Sequence, residues 1–197
     1  MPAREMLLKL RDKLNSAYTR TLQRTYYRVF GHQVGQRFVI IGNARTGSNY
    51  LLDGLKTSPR IRMYHEIFAS HNREVGKDFE KILSTLYQYE SKAIELVGCK
   101  VFYNHLTDEE WKKLVDLRDF KVIHLTRRNR LRTLISLEIA FKTGKWTHAG
   151  NSAESKEKQV ALDPQNLLKR LEHIEEGEVL TRTRFCERPV LEVVYED

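Results

Sequence analysis

Phe38-Val39-Ile40-Ile41 is an unbroken apolar run closed by Gly42, and it constrains the fold more than any other feature of the chain. A run this short, apolar at every position, suits a strand buried on both faces, because a strand with one wet face would alternate. Tyr50-Leu51-Leu52-Asp53-Gly54-Leu55 resumes at helical spacing until Ser58-Pro59 stops it, which leaves Asn43 to Asn49 as a loop. The same alternation recurs downstream. Phe79, Ile82, Leu83, Leu86 and Tyr87 predict a helix, Val97 to Tyr103 a second buried strand, and Thr107 to Leu117 a helix opened by a Thr107–Glu110 capping box. Phe120 to Leu125 reads as a third strand, followed by helical periodicity at Leu131, Leu134, Ile135 and Ile139. Asp163-Pro164 is an N-cap and first-turn pair for a helix carrying Leu167, Leu168, Leu171 and Ile174, and Val190 to Tyr195 reads as a last strand. Strands separated by helices imply βαβ units, hence an α/β domain with a central, mainly parallel sheet flanked by helices.

The chain has 197 residues, 41% hydrophobic and 30% charged, the composition of one folded domain. Cys99 and Cys186 lie far apart, with neither a disulfide framework nor metal-ligand spacing, so a reducing, cytoplasmic setting is the expectation. Charges interrupt Met1 to Leu10, which removes the apolar core of a signal peptide, and no stretch approaches the length of a membrane span.

Most of the net charge of +8 lies in residues 1–37, where Arg4, Lys9, Arg11, Lys13, Arg20, Arg24, Arg28 and Arg37 face Glu5 and Asp12. Leu7, Leu10, Leu14, Tyr18, Leu22, Tyr26 and Val29 recur three or four apart, so residues 1–36 read as a basic amphipathic helix ahead of a domain at 37–197. Its apolar stripe can pack on the domain or on a partner subunit in a homodimer. Alternatively, residues 1–30 can lie on an anionic membrane. A second basic concentration runs from Lys121 to Lys145, with Glu138 its one acid. The polar stretch from Gly150 to Gln159 reads as a mobile loop or lid.

Gly42-Asn43-Ala44-Arg45-Thr46-Gly47-Ser48 has the Gly-x4-Gly frame of a phosphate loop, between a buried strand and a helix where such a loop belongs. Backbone N–H groups and the helix N-terminus can converge there on an anion, with Arg45 and the hydroxyls of Thr46 and Ser48 as further donors. Ser48-Asn49 stand where a nucleotide triphosphatase carries Lys-Ser/Thr, so the lysine for the β- and γ-phosphates is missing.

Ile40 to Leu52 resembles the 5′-phosphosulfate loop of sulfotransferases that use 3′-phosphoadenosine 5′-phosphosulfate (PAPS): a basic residue, a small hydroxyl residue, Gly, then hydroxyl residues opening a helix. Arg45 holds the basic position, and Asn49 stands where a second hydroxyl is more usual. Val122-Ile123-His124-Leu125-Thr126-Arg127-Arg128-Asn129, with Ser136 on the next helix, resembles the family's 3′-phosphate site. Such a phosphate needs its own cationic anchor, which a strand-end guanidinium and a facing hydroxyl supply. Arg127 is preferred over Arg128 because it follows the strand directly. Arg130 and Arg132 read as a solvated helix face.

The resemblance implies a three-layer, P-loop-like fold and transfer of a sulfuryl group from PAPS to an acceptor hydroxyl, on a saccharide or lipid-linked molecule, with adenosine 3′,5′-bisphosphate as product. The implied cofactor-binding residues are Arg45, Thr46, Gly47, Ser48, Asn49, Arg127 and Ser136. Tyr64-His65-Glu66-Ile67-Phe68 resembles the segment holding a proposed general base in bacterial members, which makes Glu66 the candidate base and His65 the alternate. Lys100, inside an apolar strand, needs an anionic partner or a path to solvent, and resembles the lysine placed near the transferring group. His105 ranks after Glu66 in the same cleft, and the Thr143-Gly144-Lys145-Trp146 turn resembles an acceptor-site border.

No metal and no specific nucleic acid is implied. Family members usually continue past the strand resembling Val193-Val194-Tyr195-Glu196-Asp197 into helices and a basic glycine-containing loop, so the chain reads as truncated there. Two rival classes remain: a kinase-like nucleotide phosphotransferase, and a non-catalytic module binding anionic lipid or RNA through its basic helix.

Overall fold

The computed structural model describes residues 19, 21–73, 78–146 and 160–197. Residues 21–30 form helix α1. After it come β1 (His32–Gln33), β2 (Gln36–Gly42), α2 (Ser48–Lys56), β3 (Ile61–Met63), α3 (Phe79–Leu83), β4 (Tyr89–Glu90), β5 (Leu96–Phe102), α4 (Asp108–Asp116), β6 (Phe120–Thr126), α5 (Arg130–Thr143), α6 (Pro164–Arg184) and β7 (Val190–Val194). The stripe positions Leu7, Leu10, Leu14 and Tyr18, and the stretch from Gly150 to Gln159, lie outside the described residues.

β3, β5, β2, β6 and β7 form one sheet in that order, and every neighbouring pair is parallel. β1 and β4 form a separate antiparallel ribbon, which ties His32 and Gln33 of the expected N-terminal segment to the domain. Both faces of the sheet are covered, as the unbroken apolar runs require. Val39 and Ile41 of β2 pack with Val97, Cys99 and Val101 of β5, under Phe79, Ile82, Trp111 and Leu114 of α3 and α4. Phe38 and Ile40, one residue out of phase, join Leu52 of α2, Met63 and Leu125 on the opposite face.

Helix starts follow side-chain chemistry. Thr107 and Glu110 form the reciprocal capping box of α4, and the Asp163 carboxylate accepts from the N–H groups of Gln165 and Asn166 ahead of Pro164. The span read as one helix from Phe79 to Tyr87 divides instead: α3 ends at Leu83 and a 3-10 turn covers Ser84–Tyr87. α3 buries Phe79 and Ile82 and the 3-10 turn buries Leu86, a continuous apolar spacing that cannot separate them. Arg37 does not belong to a basic surface either. It is buried, with Nε donating to Leu86 O at 2.9 Å, Nη1 on Asp119 at 2.8 Å and its guanidinium over the Tyr87 ring.

Connectivity singles out one point of the sheet. From β2 the chain runs over β5 to reach β3, whereas from β6 it runs the other way to β7. Adjacent strands whose connections leave in opposite directions open a gap at their carboxyl ends, the usual ligand position in such sheets. Here that point is where β2 ends at Gly42 and β6 ends at Thr126. Among the described residues, no helix is long and apolar enough to cross a membrane.

Candidate functional site

The loop after β2 and the turn after β6 meet at this point. Arg45 has left-handed backbone at φ 68°, and Gly47 follows at φ 84°. A non-glycine residue pays a steric cost there because its Cβ crowds the carbonyl oxygen, and such residues concentrate where binding geometry matters. Gly47 caps α2 without a side-chain hydrogen bond, so the free first-turn N–H groups of Ser48 and Asn49 head an anion-ready helix end.

Arg45 Nε donates to Ser136 Oγ at 2.9 Å and Nη1 to the Trp146 carbonyl at 2.6 Å. Two residues expected to hold different phosphates therefore touch each other. Arg127 Nη1 donates to the Arg45 carbonyl at 3.2 Å. Burial and the Arg127 charge together lower the Arg45 pKa, so the site is short of negative charge. Among the described residues, Arg127 Nε is the buried side-chain nitrogen that makes no hydrogen bond. The Arg127 guanidinium also lies over the Tyr195 ring, 4.7 Å from its centre.

Arg128 turns outward and places Nη2 on both Asp197 oxygens at 2.6 and 2.7 Å. Arg127 is thus the arginine that meets the loop after β2. Arg130 departs from the expected solvated face: Nη2 pairs with buried Glu178 of α6 at 2.7 Å, with Glu175 beside it. Thr46 is buried and its hydroxyl donates to Asn43 O at 2.8 Å, so it braces the loop from within and does not donate to an anion. Ser48 is buried at the start of α2.

Lys100 meets the requirement set by its buried position. Its side chain is 3% exposed, and Nζ lies 2.8 Å from Glu66 Oε1 and 2.6 Å from Asn49 Oδ1. Asn49 thereby ties the loop after β2, through Lys100, to Glu66. His105 Nε2 stands 3.8 Å from Glu66 Oε2, while its Nδ1 accepts the Phe102 N–H at 3.1 Å. That backbone bond fixes the proton of the neutral ring on Nε2, facing Glu66. Burial pushes the His105 pKa down to about 4, so the ring is neutral near pH 7.

His65 is less suited to the role of alternate base. Its Nε2 is 2.8 Å from Lys56 Nζ, and burial with the Lys56 and Lys100 charges lowers its pKa. A cleft of about 280 Å³ lined by His65, Glu66, Ile67, Asn72, Ile82 and Thr85 opens beside the Glu66 carboxylate.

Arg73 was not singled out in the sequence, yet it builds this corner. It donates to the carbonyls of Phe68 at 2.8 Å and His105 at 2.9 Å, and forks onto Glu110 at 2.6 and 2.9 Å. Tyr195 and Glu196 were missed as contributors as well, since their contacts arise only from β6–β7 pairing. Among the described residues, no group of three or more His, Cys, Asp or Glu side chains is arranged to hold a metal ion. No protein-family model matches the chain, and no curated protein matches it in sequence.

Proposed function

We propose that this chain is a PAPS-dependent sulfotransferase, in a three-layer, P-loop-like α/β fold. The convergence of Arg45 and Arg127 at the adjoining carboxyl ends of β2 and β6 carries this reading. Arg45, Gly47, Ser48 and Asn49 would hold the phosphosulfate, with Thr46 bracing their loop, and Arg127 with Ser136 would hold the ribose-bound phosphate. The donor supplies a sulfuryl group on a good leaving group. The acceptor oxygen bonds to sulfur as the bridging S–O bond breaks, and the acceptor proton passes to Glu66.

For the rest, the protein positions and neutralises. Lys100, between Glu66 and Asn49, puts a fixed cation at the junction of base and phosphate loop, where charge develops in transfer. The cleft beside Glu66 is the natural seat for the acceptor, a saccharide or lipid-linked hydroxyl by resemblance. Cys99 and Cys186 are free thiols, compatible with the cytoplasmic setting this reading assumes.

Calorimetric titration of adenosine 3′,5′-bisphosphate without magnesium tests the proposal. We expect binding that weakens about tenfold or more in both Arg45→Ala and Arg127→Ala, the effect of losing a charge-assisted contact. Unchanged affinity in both variants, or magnesium-dependent ATP binding indifferent to a 3′-phosphate, would overturn it.

A further inference from the structure

At the end of β7 the chain turns over the start of α5. The Tyr195 N–H donates to the Thr126 carbonyl at 3.0 Å, which fixes the point from which the turn departs. Glu196 then reaches across. Its Oε2 accepts the Arg128 N–H at 3.0 Å, its Oε1 accepts the Asn129 N–H at 3.3 Å, and Oε1 lies 3.6 Å from Arg127 Nε. One carboxylate thus engages three consecutive residues of the β6–α5 connection.

The placement is physically favourable. The Asn129 N–H, at the N-cap of α5, lacks an intrahelical acceptor, the Arg128 N–H precedes the helix, and negative charge is stabilised at a helix start. Although desolvation works against the ionised form, the Arg128 and Asn129 N–H groups and the Arg127 charge hold the Glu196 carboxyl below its ordinary pKa.

The same contacts set the direction of Arg127. Its guanidinium has Glu196 at the Nε edge, the Tyr195 ring on one face and the Arg45 carbonyl at Nη1. With Arg127 at one end of the braced turn and Ser136 on α5 beyond it, the turn sets how far apart those two groups stand.

We propose that Glu196 is a positioning residue of the second anion site, fixing the β6–α5 turn so that Arg127 and Ser136 fit a ribose-bound phosphate. This inference rests on the sulfotransferase reading. Its sign is open to direct contradiction, because a carboxylate so close to Arg127 could instead compete with the phosphate. In that case its removal would tighten binding.

The test titrates adenosine 3′,5′-bisphosphate and adenosine 5′-phosphate into the full chain and its Glu196→Ala and Glu196→Gln variants. Glu196→Ala should lose about tenfold for the bisphosphate and less than about twofold for the monophosphate, the size expected for one charged contact. Glu196→Gln keeps an oxygen acceptor for one N–H and should recover to within about threefold of wild type. Retained monophosphate binding shows that each variant is folded. Equal losses for both ligands, no loss, or tighter bisphosphate binding would each overturn the role of Glu196 alone. A wild-type chain that does not prefer the bisphosphate would overturn the sulfotransferase reading, and this inference with it.

Discussion

Arg127 donates from Nη1 to the main-chain carbonyl of Arg45 at 3.2 Å, so the side chain that ends β6 holds the backbone of the loop that ends β2. Two cations are thereby kept near each other, and burial, with the Arg127 charge second, lowers the Arg45 pKa. An anion between them relieves their repulsion. Lysine at 127 would keep the charge but lose the planar fork that serves the Arg45 carbonyl and a ligand together. We expect Arg127→Lys to bind adenosine 3′,5′-bisphosphate about tenfold more weakly than wild type. A lysine variant of wild-type affinity in the same titration would show that charge alone suffices.

Lys100 and Glu66 give a prediction with two readouts. The Lys100 side chain is nearly sealed from solvent while Glu66 is 22% exposed, so removing the lysine strands a partly buried carboxylate. Lys100→Met should cost about 3 kcal/mol in chemical denaturation, and adding Glu66→Gln should return at least about 1 kcal/mol of it. On the proposed sulfotransferase function, sulfuryl transfer in Lys100→Met should fall about 100-fold, as for loss of one preorganised transition-state donor. Additive stability losses in the double variant would mean that the pair is not coupled.

Buried His105 makes stability depend on pH in a defined direction. Its folded pKa of about 4 lies below the ordinary histidine value of 6.5, so the unfolded chain binds the extra proton between these limits. Its stabilising contribution is complete above about pH 6.5, is lost as pH falls toward 4, and amounts to roughly 3 kcal/mol. His105→Gln removes the titration and offers an oxygen to the Phe102 N–H. Urea denaturation at pH 7 and pH 5 should therefore show a smaller pH effect in this variant; an equal effect would assign the dependence to other groups.

The legible parts of this fold are those whose signal is local. β2 is buried on both faces and announces itself as an unbroken apolar run, β5 and β6 as mostly apolar runs interrupted at Lys100, Lys121 and His124, and the caps Thr107 and Asp163 act within three residues. β3 has only three residues with Arg62 exposed at its centre, and β1 and β4 have two each, too few to carry a period. In the site, Lys100 could be read as needing a partner because a charge broke an apolar strand, whereas Glu66 as that partner depends on strand order. Arg130 was misread for the same reason: Glu178 lies 48 residues away on α6. Glu196 gave no local sign, since its three contacts exist only once β7 lies beside β6.

Gly47 tests whether the loop geometry itself matters. Its φ of 84° is left-handed, and a Cβ built there would collide with the Tyr195 ring. The two penalties are separable. Gly47→Ala in the wild-type background should cost about 2 kcal/mol or more, combining backbone strain with displacement of the ring. In a Tyr195→Ala background only the backbone part remains, about 1 kcal/mol. Because the ring also lies over Arg127, its displacement should weaken adenosine 3′,5′-bisphosphate binding in Gly47→Ala beyond the effect on the loop alone. Equal stability costs in the two backgrounds, measured by urea denaturation, would show that Tyr195 does not pack against the loop in solution.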